Sequence, residues 1–363
     1  AQTPLLDTAS AAVGQVIDSR SIVNLPLNQR NPYALVFIVP GVIGDVGFQF
    51  NNVNISVNGG RPGSNELLVD GIPSSPPLVN PILGYSVFPS VDAVQEFKVQ
   101  MNSYSAEFGR SAGGIINLIY KSGTNDLHGS FFEFLRNAKL DSNDFFNNSR
   151  KIPLASFKRN QFGASGGGPV VIPKLYNGRN KTFFFAAYEG LRQGAASNLI
   201  TSMPTALQRT GDFSQTRNAA GALVTIYDPV TTTQSGSGFV REAFPGKVIP
   251  PSRIDPVARN VMKYYPLANQ PGDPNSQANN FAASGTNPTV INQFDIKMDE
   301  NVNQWNRFFV RFSHRKLELL PTDLLPAESL IADGWPAGNT NQQIFNNAAF
   351  NYTLNLWPTF LIE

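Results

Sequence analysis

A serine in a glycine-rich setting is the first residue of this chain whose surroundings suggest chemistry. Gly163-Ala164-Ser165-Gly166-Gly167 fits the G-x-S-x-G pattern of a hydrolase nucleophile elbow. That elbow requires a helix directly after the serine, whereas Gly168 and Pro169 follow here, and His128 and His314 are the only histidines. We therefore predict a glycine-rich strand end and a chain without enzymatic activity.

Metal and cofactor chemistry has little support in the sequence. The chain has no cysteine, which excludes disulfides, thiolate ligands and cysteine nucleophiles. The two histidines have no partner at metal-ligand spacing, so we expect polar strand residues. Asp141-Ser142-Asn143-Asp144 offers oxygens for calcium but lacks the glycine and distal glutamate of an EF-hand loop, which favours turn capping. No phosphate loop or dinucleotide fingerprint is present, and no cofactor is predicted.

Composition favours a protein of many strands and turns. Of 363 residues, 41% are hydrophobic and 15% are charged, against a usual charged share of about a quarter. The formal net charge is +2 and the basic residues are scattered, so nucleic acid is a poor partner. The longest apolar runs, 34–40 and 115–120, are far shorter than the ~20 residues that a spanning helix needs. Only a barrel would carry this chain across a membrane.

The elements that must position these residues fall into two regions. Residues 1–20 read as an N-terminal extension, and 21–126 as a compact α+β domain. Within that domain Asn28 is predicted to cap a short helix that ends at Pro40-Gly41, and the segment 91–96 a single helical turn. Strands are predicted at 53–58, 66–69, 97–101 and 113–121.

From residue 127 onward the pattern changes to strands of about nine residues, the length of a tilted transmembrane strand. The segments 293–299, 307–315 and 347–356 alternate apolar and polar residues, with Phe294, Phe308 and Phe350 on the apolar faces. Three earlier strands are predicted with weaker alternation, and a seventh begins near Phe360. The earlier three are 128–136, 160–167 and 182–191.

The connections between these strands alternate between long and short. Short periplasmic turns and long outer loops are typical of outer-membrane barrels, so we predict extracellular loops at 137–159, 192–292 and 316–346. A soluble β-sandwich also alternates its faces and stays open as an interpretation. A connection as long as 192–292 is unusual in a compact sandwich, which favours the barrel.

Several sequence blocks in a fixed order resemble the plug domain and first strands of Oar-like TonB-dependent outer-membrane transporters. The resemblance is dense from residue 25 to 136 and weak beyond 315. The blocks are LPLNQR, PGV, SVNGGRPGSNELLVDGIP, SVDAVQEFKVQMNSYSAEFGRSAGGIINLIYKSGTNDLHGSFFEFLRN, KTFFFAAYEGLRQ and NQFDIKMDENVNQWNRFFVRFSHRK.

The resemblance implies a plug domain inside a barrel of about 22 antiparallel strands. The predicted strands are too few to close it, so we expect this chain to be an N-terminal fragment of a longer protein. By resemblance it lies in the outer membrane of a Gram-negative-type bacterium, contacts lipid, and is energised by a TonB-ExbB-ExbD complex. A TonB box is not evident in 1–20. Import and export both stay open, as do peptide, protein and glycan substrates.

Two sets of site residues follow from the resemblance. Loops 59–65 and 72–88 are expected to reach the ligand. The family's usual arginine lock does not carry over, because those positions read Asn58-Gly59 and Gln100 to Ser103; Arg61 and Arg110 are replacement candidates that would pair with Glu133 or Asp295, and a surface role for either stays open. The alternative function is a secreted or cell-surface β-rich adhesin or glycan-binding module. The ligand-binding set is Arg61, Pro62, Ser64, Asn65, Pro76, Tyr85 and Phe88; the plug signature set is Asp70, Gly71, Glu96, Gly109, Arg110, Gly113 and Gly114.

Overall fold

Two sheets dominate the computed structural model, one of five strands and one of seven. The structure describes residues 13–27, 30–46, 53–61, 64–74, 88–102, 104, 109, 111–149, 153–325, 341–357 and 360–362. We call the described residues from 13 to 125 the N-terminal unit. No helix in the described part of the chain is long and apolar enough to cross a membrane.

Seven strands form the N-terminal unit: β1 (Val13–Asp18), β2 (Val42–Val46), β3 (Val53–Val57), β4 (Glu66–Val69), β5 (Ile72–Pro73), β6 (Val94–Asn102) and β7 (Ile115–Tyr120). Five of them make a mixed sheet in the order β1-β6-β7-β4-β5, in which β4 and β7 run parallel, while β2 and β3 pair separately. β6 alternates as a half-buried strand should, with Phe97 and Val99 buried and Lys98 exposed.

A large apolar core holds the described part of the N-terminal unit together. Helix α1 (Ser19–Asn24) contributes Ile22, the 3-10 helix Pro32–Ile38 contributes Tyr33 and Val36, and the sheet contributes Phe97 and Leu118. A second 3-10 turn, Val91–Ala93, leads into β6. Such burial of large apolar side chains is the main stabilising term of an ordinary soluble domain.

The N-terminal unit differs from the sequence prediction at several points. β2 and β5 are additional strands, and β6 begins at Val94, so the helical turn predicted over 91–96 is confined to Val91–Ala93. The predicted extension contains β1, which pairs antiparallel with β6, and α1, whose N-cap Asp18 accepts a 2.8 Å bond from the Ser21 amide. The predicted helix is a 3-10 helix capped by Asn31, because Pro32 follows directly at its first position. The predicted cap Asn28 lies outside the described residues. A short run close to a terminus carries too little periodicity to reveal β1.

Eleven further strands follow: β8 (His128–Asn137), β9 (Phe157–Pro169), β10 (Val171–Ile172), β11 (Tyr176–Asn177), β12 (Thr182–Thr201), β13 (Thr233–Ser235), β14 (Gly238–Val240), β15 (Phe281–Asn301), β16 (Asn306–Leu319), β17 (Asn341–Trp357) and β18 (Phe360–Ile362). The antiparallel seven-stranded sheet has the order β18-β17-β16-β15-β12-β9-β8. Strands lie at all six predicted positions and near Phe360, and the first six extend beyond the predicted bounds. Within the described residues the sheet is open, since β8 and β18 each pair on one side only.

The two faces of the seven-stranded sheet differ sharply. The inner face, which we define as the one contacting the N-terminal unit, buries Gln293, Asp295 and Lys297 of β15 and Arg311 and Ser313 of β16. The outer face exposes large apolar side chains: Phe294, Ile296, Met298, Val310, Phe312, Phe350, Tyr352 and Leu356. The predicted alternation is therefore present, and its polar face is the buried one.

The connections are long and short in turn. Residues 138–156, 202–280 and 320–340 are long connections between neighbouring strands whose ends pair in the sheet, whereas 170–181, 302–305 and 358–359 are short. The longest connection is folded: it holds α3 (Ala206–Arg209), α4 (Pro256–Val261) and the β13–β14 hairpin. Arg253 binds Asp228 there through two bonds of 2.8 and 2.7 Å. The helix α2 (Phe145–Ser149) lies in the first connection.

Candidate functional site

The N-terminal unit meets the inner face of the seven-stranded sheet along a polar contact surface, which we call the seam. At its centre Asp70, in the turn after β4, accepts a 2.8 Å bond from Arg311 Nε and a 3.3 Å bond from Lys297 Nζ. The Asp70, Arg311 and Lys297 side chains are only 3%, 1% and 6% exposed. The Tyr120 amide also donates to Asp70, at 3.0 Å. The Asp70 carboxylate thus accepts hydrogen bonds from both sheets.

The two cations that hold Asp70 stand directly opposite each other. Lys297 of β15 and Arg311 of β16 are register partners in the antiparallel ladder. Like charges directly across a ladder repel, and burial strengthens that repulsion. Asp70 lies between them as a shared counter-ion. The N-terminal unit therefore supplies the charge that balances this part of the seven-stranded sheet, which we call the wall. Removing that charge leaves two buried cations facing each other.

Tyr120 makes a second link beside the first. Its hydroxyl donates a 2.7 Å bond to Asp295 Oδ1, and the Arg311 guanidinium lies 4.8 Å from the centre of its ring. Burial, and then the Asp295 carboxylate, raise the pKa of the Tyr120 phenol well above its usual value. The hydroxyl therefore keeps its proton and serves as a permanent donor to the wall.

A third link joins Ser90 to Glu189 of β12. Ser90 Oγ donates a 2.6 Å bond to one carboxylate oxygen, and Gln161 Nε2 of β9 donates a 2.6 Å bond to the other. All three side chains are buried. A buried carboxylate is tolerated only when its oxygens are hydrogen-bonded, and here one of the two donors comes from the N-terminal unit.

Arginine-aromatic contacts extend the seam on both sides. Arg30 forms an ion pair with Asp92 inside the N-terminal unit and places its guanidinium 4.1 Å from the Phe132 ring of β8. On the other side the Arg315 guanidinium lies 3.8 Å from the Phe88 ring. Phe88 also meets Phe345 of β17 edge to face, with centroids 5.8 Å apart. Aromatic faces thus orient cations along the seam.

The glycine-rich run of β9 serves close packing. Ser165 lies in the middle of β9, between β8 and β12, and not at a strand-to-helix turn. A Cβ on Gly123 would lie 3.0 Å from the Gly168 amide nitrogen, and one on Gly167 would lie 3.4 Å from the Gly123 Cα. The segment that leaves the N-terminal unit can cross β9 at this distance only because Gly123 of the segment and Gly167 and Gly168 of β9 carry no side chain.

The predicted ligand-binding residues are placed differently from one another. Arg61 is exposed, while Ser64 and Asn65 are half-buried in bonds within the N-terminal unit: Asn65 Nδ2 donates to the Ile55 carbonyl at 2.6 Å, and Ser64 Oγ to the Arg61 carbonyl at 2.6 Å. Phe88 lies in the seam. Three more ligand-loop residues and one signature arginine fall outside the described residues: Pro62, Pro76, Tyr85 and Arg110.

The signature residues shape the N-terminal unit from which the seam is built. Asp70 and Gly71 both have positive φ, 52° and 78°, which forms the turn that presents the carboxylate. Gly114 donates its amide to Asn65 Oδ1 at 2.9 Å, and Gly113 lies against the same side chain. Glu96 pairs with Ile119 in the sheet. Gly109 is exposed, with open space where a Cβ would stand.

The predicted arginine lock stays a prediction, since Arg61 is exposed and Arg110 lies outside the described residues. Among the described residues the buried ion pairs across the seam have the carboxylate on the N-terminal unit, at Asp70, and the cations on the wall. Asp295 does face the seam, but its partner is Tyr120. Glu133 is exposed and alternates with Phe132 and Phe134, which contact Arg30, so it lies on the opposite face.

Sequence reasoning missed Ser90, Tyr120, Glu189, Lys297 and Arg311. The one available signal was the pair of opposite-sign charges on the polar face of 293–299, which a soluble strand would also place on its wet face. Asp70 was assigned to a turn, because Asp-Gly is a strong turn signal. Its partners lie 227 and 241 positions away in sequence.

Comparisons with known proteins agree with this architecture. Residues 119–363 match the family described as outer membrane beta barrel domain. Over 200 residues the chain is 28% identical to the TonB-dependent transporter Oar of Myxococcus xanthus, a match covering 51% of this chain and 17% of that protein.

In structure, the chain is similar to the outer membrane transporter YddB from Escherichia coli, with a TM-score of 0.55 at 12% identity, covering 94% of this chain and 37% of that one. The chain thus spans well under half the length of these two proteins. Both the family match and the fold describe a wall of an outer-membrane barrel. This chain belongs to the outer membrane β-barrel domain family and resides in the outer membrane, with TonB-dependent transporters among its relatives.

Proposed function

We propose that this chain is the plug and the first wall strands of a TonB-dependent transporter. The N-terminal unit is the plug, and the seven-stranded sheet is part of a barrel of about 22 strands. The plug closes the lumen and helps bind the ligand, and a TonB-ExbB-ExbD complex supplies the energy to move it. The long connections face the cell exterior. Peptides, proteins and glycans stay open as cargo, as does the direction of transport.

One observation carries this proposal: the wall is polar inside and apolar outside. Phe350 on the outer face is 64% exposed, whereas Arg311 on the inner face is 1% exposed. In water this arrangement would cost free energy on both faces, because apolar surface is left wet and charges are buried. In a bilayer the outer face meets lipid, and the inner face encloses a polar lumen occupied by the plug. The pattern disfavours the secreted adhesin.

Within this proposal the Asp70 link is the restraint that transport must release. The carboxylate sits in the plug and its two cations in the wall, so any movement of the plug past β15 and β16 separates buried charges. The ligand loops proposed for the plug are 59–65 and 72–88, and Arg61 is an exposed charged side chain among their described members.

A reversible crosslink tests whether the plug must move. Ala93 of the plug and Ala187 of β12 are buried in one apolar cluster, and the chain has no cysteine of its own. We expect the Ala93→Cys/Ala187→Cys variant of the full-length protein to form a disulfide, seen as a gel shift, that abolishes TonB-dependent uptake or export in cells. Reductant should restore it, and each single cysteine variant should transport normally.

Two results would contradict the proposal. Undiminished transport by the fully crosslinked protein would show that the plug does not gate the lumen. A full-length gene product that is monomeric in water without detergent, and whose migration on gels does not change on heating, would remove the transporter altogether.

A further inference from the structure

Three arginines and an apolar floor line a groove between the N-terminal unit and the first two wall strands. The groove has a volume of about 620 Å³, within the range of roughly 300–1,000 Å³ that small-molecule sites occupy. Its apolar side comes from the segment 22–27 and from Phe134 of β8. Its cations are Arg30, Arg136 and Arg159. Among the described residues that line it, none is acidic.

The arginines are arranged by aromatic rings. The Arg136 and Arg159 guanidinium groups lie 5.0 and 5.2 Å from the centre of the Phe157 ring, and Arg30 lies 4.8 Å from that of Phe134. Stacking on a ring fixes the plane of a guanidinium and leaves its N–H groups pointing along that plane. The planar fork suits carboxylate and phosphate oxygens.

Two of the three arginines of this groove repel each other. Arg136 and Arg159 are register partners in the β8–β9 ladder, so two like charges stand directly opposite. Arg30 binds Asp92, which does not line the groove. Arg136 binds Asp141 at 3.2 Å, and this pair is partly exposed and contributes little. Arg159 donates its Nε to the neutral Gln193 at 2.8 Å. An anion between Arg136 and Arg159 would relieve their repulsion.

The same bias continues along the seam. A second, smaller cavity of about 50 Å³ shares Arg30 and Gln161 with the groove and adds Arg315, with Glu189 its acidic residue. The chain as a whole is nearly neutral, with 28 basic and 26 acidic residues. The concentration of arginine at these two spaces is therefore local. Lys297 and Arg311, which bind Asp70, are further cations on the same inner face.

We propose that the groove binds an anionic group, a carboxylate or a phosphate, carried on an apolar body, and that this molecule is the cargo or the part of it that enters first. The inference rests on the proposed function only in identifying the bound molecule as cargo. Binding itself is measured without transport, so the two fail separately.

Charge-matched fluorescent probes test the groove. The full-length protein in neutral detergent is titrated into dansyl-glutamate, dansyl-O-phosphoserine and dansylcadaverine, and binding is followed by fluorescence anisotropy. The three probes share one apolar ring system and differ in charge. We expect saturable binding of the anions and none of the ammonium probe; the tighter of the two anions identifies the preferred group. Equal binding of the ammonium probe would overturn the proposal.

Substitutions locate the site. The Arg136→Gln/Arg159→Gln double variant should weaken anion binding at least about tenfold, because the loss of even one charged hydrogen bond lowers affinity by about that factor. Arg136→Lys with Arg159→Lys should bind with intermediate affinity. The matched control is Arg192→Gln, because Arg192 stacks on Phe162 of the outer face, and its affinity should stay within about twofold. Wild-type affinity in the double Gln variant would contradict the site; if that variant misfolds, the Lys variant and the probe charges decide.

Discussion

The two sheets of this chain bury opposite kinds of side chain. The N-terminal unit buries Phe97, Val99 and Leu118 in an apolar core, as a protein in water does. The seven-stranded sheet buries Arg311 and exposes Phe350. The first is stabilised by apolar burial, and the second by a polar contact on one side and an apolar solvent on the other. Which side of a strand is buried therefore reports the solvent, and the seam is where the two arrangements join.

The largest loss of stability is expected at Asp70, where buried charges join the N-terminal unit to the wall. Asp70→Asn removes the charge shared by Lys297 and Arg311, and a broken buried pair costs about 3–5 kcal/mol. We expect the N-terminal unit to detach from the inner face of the wall while the wall itself stays folded. Limited proteolysis of the full-length protein in detergent, with cleavage sites mapped by mass spectrometry, measures this.

Two controls make the Asp70 result specific. Asp126→Asn changes an exposed carboxylate nearby and should leave the cleavage pattern unchanged. Adding Arg311→Gln to Asp70→Asn should recover part of the loss, because one of the stranded cations is removed. Equal protease resistance in Asp70→Asn and wild type would show that the ion pairs do not hold the unit.

A charge on the outer face tests the wall from its other side. Phe350→Arg should destabilise folding into lipid by about 2–4 kcal/mol near the bilayer centre. The matched control is Phe239→Arg: Phe239 is 74% exposed but belongs to the β13–β14 hairpin of the long connection. Urea titration in liposomes should show a loss for Phe350→Arg alone. A soluble sandwich would tolerate both changes equally.

Ser90→Ala sharpens the polar side of the comparison with a smaller effect. It removes one of the two donors to the buried Glu189 carboxylate, which costs about 1–3 kcal/mol. Ser90→Thr keeps the hydroxyl and serves as the control. Hydrogen exchange of the Val91–Ala93 turn should quicken in the alanine variant only. Unchanged exchange in both would leave Glu189 without any role in seating the unit.

The smallest effect lies at the α1 N-terminus, where the N-terminal unit behaves as an ordinary soluble domain. Hydrogen bonds from the Ser21 amide and hydroxyl hold the pKa of the Asp18 carboxyl below its usual value. A depressed folded pKa means that the cap stabilises α1 above the unfolded pKa and is lost as the pH falls through the folded one. The protection factor of the Ser21 amide, which is its intrinsic exchange rate divided by its observed rate and so is corrected for the intrinsic pH dependence, should fall between about pH 5 and 2, the span of that loss. Asp18→Asn should remove this pH dependence.

The repeating part of the fold was predictable from sequence. A period of two is visible in 293–299, 307–315 and 347–356, and it assigned Phe294, Phe308 and Phe350 to one face. Strand ends were not predictable, because β12 and β15 extend for 20 and 21 residues, past the apolar band into polar segments. There the alternation that marks a membrane strand is lost, while backbone pairing continues.

The seam was predictable only in outline. The alternation separated a polar from an apolar face, and the expectation that a plug lies inside the barrel followed from the resemblance. Arg61 and Arg110 were chosen as lock candidates only because the family's usual arginine positions hold other residues here. The actual partners are fixed by three-dimensional register, which brings Lys297 beside Arg311 and both beside a turn far away in sequence. No local pattern encodes that meeting.

The most direct test of the account is a solvent profile along β16. Residues 1–363 contain no cysteine, and any cysteine elsewhere in the full-length protein is replaced by serine. Single spin labels at Phe309, Val310, Phe312 and Ser313 are then introduced, the protein is reconstituted into liposomes, and collision with oxygen and with a water-soluble nickel complex is measured. Labels at Val310 and Phe312 should collide with oxygen, which concentrates in lipid. The label at Ser313 should collide with neither reagent, because Ser313 is buried against Tyr120 of the N-terminal unit, and the label at the half-buried Phe309 on the same inner face should collide less with oxygen than those at Val310 and Phe312. Strong nickel collision at Val310 and Phe312 would contradict the inverted wall.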